Sequence, residues 1–150
     1  GEQVAFRTIV EKISMGKISE EFIPAYIVDE MADSYEGLIG LNILTSYHIT
    51  IDSVNERLAV TPNPSASELP AGRSKLWWQR TFREFRSHQE FWAAHADMIK
   101  SNKGSYKGLP SSTLEKFARA VNDQQSVAET LYNKLNQFAR FRSVPMKWRE

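Results

Sequence analysis

The sequence predicts an α+β chain: a partial, mostly antiparallel β domain followed by an antiparallel two-helix hairpin. Apolar residues recur with strand-like spacing up to Val60 and with a 4-3 helical spacing after Trp78. Between them lies "TPNPSASELPAGR", residues 61–73, with three prolines, which remove backbone donors and resist helix. Charge changes sign across the same segment. Residues 1–72 carry four basic side chains against eleven acidic ones, and residues 73–150 carry fifteen against seven. The organisation expected is a β region over 1–60, a Pro-rich linker or crossing strap over 61–73, and a helical region over 74–150.

The β elements follow in order. "VAFRTIVEKI", from Val4, alternates imperfectly and is rich in Val, Ile and Phe. "SMGK" supplies a glycine turn and "FIPAYIV" a second β-branched and aromatic run. "HITID" alternates strictly at Ile49 and Ile51, "SVNE" turns, and "RLAV" returns. "GLNILTSY" is too short and mixed to assign from propensity.

The second half repeats a heptad pattern twice. Trp78, Phe82, Phe85, Gln89, Trp92, Ala96 and Ile99 form one seam; Phe117, Val121, Gln124, Ala128, Leu131, Leu135 and Phe138 form the other. "NKGSYKGLP" separates them, Ser112 with Glu115 reads as a capping box, and Pro145 marks the far end. Folding the helices back on each other sets Trp78 against Leu135, Phe82 against Leu131, Phe85 against Ala128, Trp92 against Val121 and Ala96 against Phe117. Gln89 then meets Gln124, where the two amides can satisfy each other. Large against small and polar against polar is what such a hairpin requires.

Hydrophobic residues at 41% and charged residues at 25% of the 150 are those of a globular chain. No apolar run approaches the ~18 residues that span a bilayer, and no secretory leader is legible. The absence of cysteine excludes disulfide and thiolate chemistry within these residues and leaves the compartment open, periplasm and cytoplasm alike.

One motif carries functional information. In "GLIGLNIL", two apolar residues precede Gly40, Asn42 follows two positions later, and the apolar Ile43 and Leu44 come next. The glycine permits close backbone approach or an unusual dihedral, while flanking apolar residues lock such a loop into a core. Alone, the string reads as an ordinary buried loop.

Taken together, residues 4–60 resemble the second half of the retropepsin-like aspartic proteases, the group of retroviral proteases and their bacterial relatives. The resemblance rests on order: a glycine-turn hairpin "EKISMGKISEEFIPAYIVD", an acidic loop, then Leu38, Ile39, Gly40, Leu41, Asn42, Ile43 and Leu44, then "HITID" and "RLAV". It implies a partial acid-protease-like β domain. It also implies peptide-bond hydrolysis by an Asp dyad that shares a proton and activates water, with no metal or cofactor. Partners implied are a peptide or protein substrate and a homodimer or missing N-terminal half. In the family the loop resembled by Leu38, Ile39, Gly40 and Asn42 supports the strand bearing the catalytic Asp and does no chemistry itself.

The sequence departs from that family at the decisive place. No Asp-Thr-Gly or Asp-Ser-Gly occurs in the 150 residues. Asp52-Ser53 and Asp33-Ser34 lack the glycine that turns the loop toward its twin. No catalytic residue is therefore assigned. The expectation is a carboxy-terminal fragment (a truncated chain, a cleavage product or part of a split protein) that is inactive alone. The competing expectation is a non-catalytic interaction or dimerisation module on a degenerate protease scaffold.

Other constellations are weaker. His88 and His95 lie seven apart near Asp97, which is not metal-ligand spacing, so no metal is expected. Arg80, Arg83, Arg86, Arg140 and Arg142, with Trp77 or Trp148 to stack, fit a nucleic-acid surface, but charges that solvate the outer face of a hairpin or face the acidic first half are the favoured reading, and no nucleic acid is expected. Binding to anionic membrane is disfavoured because the apolar seam is used by the partner helix. Trp148, in "FRSVPMKWRE", is expected to cover the open end of the hairpin.

Overall fold

The computed structural model describes residues 5–28, 37–44, 46–101 and 110–150, without the side chains of Leu41 and Asn42. The Asp33-Ser34 pair, most of the inter-helical connection and the Asn42 side chain therefore lie outside the described residues. Two compact units divide the chain, residues 1–74 and 75–150.

In the first unit, β1 (Ala5–Met15) and β2 (Ile18–Val28) form a long antiparallel hairpin, in register from Ala5↔Val28 to Met15↔Ile18. Gly16, at φ +59°, makes the turn, a conformation that a Cβ disfavours. Pro24, opposite Ile9, lacks a donor and is tolerated because β2 has one strand neighbour among the described residues. After the glycine loop comes one helical turn, α1 (Leu41–Leu44), where the Ile43 N–H donates to the Gly40 carbonyl at 3.1 Å. β3 (Tyr47–Asp52) and β4 (Arg57–Pro62) then pair from Tyr47↔Pro62 to Asp52↔Arg57.

The two hairpins are separate two-stranded sheets among the described residues. Consequently this unit buries few large side chains: Phe22, Ile23 and Ile43 are inside, while Ile51 and Leu58 are 76% and 64% exposed.

The Pro-rich segment is not an extended strap. β4 runs on to Pro62, and two 3₁₀ turns follow, Pro64–Ala66 and Pro70–Gly72. Asn63 caps the first by accepting from the Ser65 N–H at 3.1 Å. The φ-fixing prolines at the start of each turn favour this local coil over a straight crossing. The segment is also tied down, since Asn63 N–H donates to the Ser46 carbonyl and Ser46 Oγ donates to the Gly72 carbonyl at 3.0 Å.

The second unit consists of α2 (Lys75–Ser101) and α3 (Ser111–Phe141), packed antiparallel. Trp78 lies against Phe138 at 5.9 Å between ring centroids, Phe82 meets Tyr132 edge-on at 6.3 Å, and Ala96 and Ile99 cluster with Val121. Trp78, Phe82, Phe85 and Leu135 are completely buried, with Ala128 and Leu131 also inside. The expected seam is corrected at its far end. Phe117 is 48% exposed, and Ala118 takes the inward place beside Ala96 and Val121. Two facing alanines let the backbones approach and leave no space between them for a phenyl ring. Gln89 and Gln124 are half-buried and make no hydrogen bond to each other.

The helix ends also differ from expectation. The start of α3 is not a Ser112–Glu115 capping box: the helix begins at Ser111 with Pro110 as cap, and the Thr113 and Leu114 N–H groups donate to the Pro110 carbonyl. Ser112 is already helical and cannot adopt the extended cap conformation. At the other end, Ser143 at φ +55° closes a Schellman motif. Val144 N–H donates to the Ala139 carbonyl and Ser143 N–H to that of Arg140. Val144 is buried, and Pro145 then starts the 3₁₀ turn Met146–Trp148, which lies on α2. Arg149 donates to the Val144 carbonyl and Arg86 to that of Arg149, so the tail is clasped to the hairpin.

Candidate functional site

The glycine loop does not lie in a core. Leu38 is 82% and Ile39 50% exposed, because among the described residues no second β layer covers residues 37–40. These side chains instead wall a groove of ≈ 840 Å³ with β1 and β2, to which Val10, Ile13, Ile23, Ile27 and Ile43 also contribute. Ile39 reaches a second depression of ≈ 420 Å³, beside Ile18, Leu44, Leu58 and Val60. The helical turn α1 positions the arrangement by driving Ile43 inward, at 6% exposure, while the loop preceding it stays outside. Thus Leu38, Ile39 and Gly40 share one apolar groove, and Asn42 contributes no described contact.

Among the described residues no carboxylate lines either space. Tyr26 is the one titratable group among the described residues of the larger groove, and its hydroxyl accepts from Arg7, whose guanidinium lies 4.9 Å from the ring centre. The described lining of the groove offers shape and apolar surface.

Asp52 has a different task. Its Oδ1 accepts from the Val54 and Asn55 N–H groups at 3.2 and 3.1 Å, and Oδ2 accepts from Asn55 Nδ2 at 2.8 Å. These bonds, the Asn55 side chain foremost, hold its carboxyl below the usual range. Asp52 is a turn-former, and Asp52-Ser53 is no nucleophile or acid–base pair.

Sequence reading missed a polar cluster where β2, β3 and the Pro-rich segment meet. Arg73 is buried, at 5% exposure. Its Nη1 donates to the Phe22 carbonyl at 2.9 Å, its Nη2 donates to that of Glu21, and Glu20 Oε2 lies 3.7 Å away. Tyr47 donates to Glu20 Oε1 at 2.6 Å. Burial pushes the Tyr47 phenol well up, and the bond to Glu20 and that carboxylate's charge add to the shift while Arg73 opposes it. Phe22 sits at φ +55°, an uncommon conformation for an aromatic residue, in which the Glu21 and Phe22 carbonyls both reach one guanidinium. Only the charged residue that ends the linker and the acidic pair Glu20-Glu21 hinted at this contact.

On the helices, His95 Nδ1 lies 2.8 Å from the Phe91 carbonyl and His88 stands edge-on to Trp92. Among the described residues no group of three or more His, Asp or Glu side chains is placed to hold a metal. Trp77 is buried against Trp78 at 5.0 Å and is not available to stack on a base. No family profile, curated protein or solved structure matches this chain.

Proposed function

We propose that residues 5–62 form the binding-groove half of a retropepsin-like aspartic endopeptidase, whose carboxylate dyad is not among these 150 residues. One observation carries the reading. A long glycine-turn hairpin, a Leu-Ile-Gly loop, a one-turn helix and a second hairpin succeed one another in the family's order, around an apolar groove suited to an extended peptide. Leu38, Ile39 and Gly40 are the supporting loop in this reading, and the chain alone hydrolyses nothing.

The test has two arms. The purified chain, incubated with a fluorogenic peptide mixture, gives no pepstatin-sensitive cleavage; robust cleavage would refute the assignment of the dyad elsewhere. The gene upstream of the Gly1 codon encodes an Asp-Thr/Ser-Gly triplet, and the longer product cleaves with pepstatin sensitivity. A longer product that carries the triplet and stays inactive overturns the protease reading.

A second reading, a non-catalytic interaction or dimerisation module, draws on the exposure of Leu38 in the glycine loop and of Ile51, Val54 and Leu58 in the β3–β4 hairpin. Absence of the triplet upstream favours it.

A further inference from the structure

Charge in the helical unit is concentrated at one end. The half built from residues 75–88 and 126–150 holds nine basic side chains against three acidic ones. The described part of the other half, residues 89–101 and 110–125, holds three against four. Antiparallel pairing places the start of α2 and the end of α3 together, as the contacts of Trp78 with Phe138 and of Phe82 with Tyr132 require. Three of the nine are used internally: Arg86 and Arg149 on backbone carbonyls, and Arg142 over the Phe138 and Phe141 rings. Lys75, Arg83, Arg140 and Lys147 are exposed.

The same end carries apolar surface outside the inter-helical seam. Leu76, Phe141 and Met146 are 75%, 77% and 70% exposed. Each is a sequence neighbour of a basic residue, in Lys75-Leu76, Arg140-Phe141-Arg142 and Met146-Lys147. The seam is occupied, as expected, but these three side chains do not belong to it.

We infer that this end of the helical hairpin docks on an anionic phospholipid surface, with Leu76, Phe141 and Met146 entering the interfacial layer and Lys75, Arg83, Arg140 and Lys147 meeting lipid phosphates. Charge complementarity selects an anionic partner. The exposed Leu76 and Met146 select lipid over nucleic acid, since neither stacks on a base; Trp77 is buried, and the Arg142 guanidinium already lies over the ring of the exposed Phe141. The docking is peripheral, as no described helix is long and apolar enough to cross a membrane.

Co-sedimentation of the 150-residue chain with vesicles tests this. Phosphatidylcholine vesicles containing about 30% phosphatidylserine bind the chain at about 0.15 M salt, and pure phosphatidylcholine vesicles do not. The Arg83→Gln/Arg140→Gln/Lys147→Gln variant loses on the order of a hundredfold in partitioning, and Phe141→Ser/Met146→Ser about tenfold, with helix content and melting unchanged. Three outcomes overturn the proposal: no binding to the anionic vesicles, equal binding to both vesicle types, or undiminished binding by the charge variant. Tight binding of oligo(dT) that the Phe141→Ser/Met146→Ser variant retains, while its vesicle binding is also unchanged, overturns it in favour of nucleic acid.

Discussion

Single residues at chain reversals determine much of the local geometry. Ser143 occupies the left-handed position of the Schellman motif that ends α3, where glycine meets no Cβ penalty. Ser143→Gly is expected to stabilise the helical unit by up to about 1 kcal/mol, read as a higher thermal midpoint. A lower midpoint would show that the Ser143 hydroxyl matters more than its backbone angle. Asp52 gives a pH dependence of known sign. Its folded pKa lies below the unfolded value, so its contribution to the β3–β4 turn is complete above about pH 4 and is lost as pH falls through the folded pKa. Amide protection at Val54 and Asn55 should therefore decline on acidification, and Asp52→Asn should flatten that profile.

At the scale of elements, the two units are stabilised differently. The helical hairpin depends on aromatic burial. Phe85 is wholly enclosed, and Phe85→Ala should cost about 3–5 kcal/mol, measured by denaturant unfolding of the helical signal. Among its described residues the β unit buries few large apolar side chains, and Arg73 joins β2 to the segment after β4. Arg73→Met should destabilise it by about 2–3 kcal/mol, because two carbonyls and Glu20 lose their donor. Hydrogen exchange near Glu21 and Phe22 would report this; unchanged protection would mean that the strand holds its bend without Arg73. The bend itself is costly, as a left-handed Phe22 is expected to store about 1–3 kcal/mol.

For the whole molecule, periodicity made the layout readable before any coordinates. Strand spacing up to Val60, heptad spacing after Trp78 and the charge reversal between them are properties of contiguous side chains, which local geometry expresses directly. The Leu38-Ile39-Gly40 motif was legible for the same reason. What those side chains meet was not, and the loop proved to wall a groove instead of filling a core. Contacts between distant positions were equally hidden. Arg73 finds carbonyls about fifty residues away, Trp77 turns inward, Ala118 displaces Phe117, and Asp52 spends its carboxylate on a turn. Periodicity assigns a residue to a face, whereas its partner depends on the volume and hydrogen-bonding capacity that the rest of the fold leaves at that face.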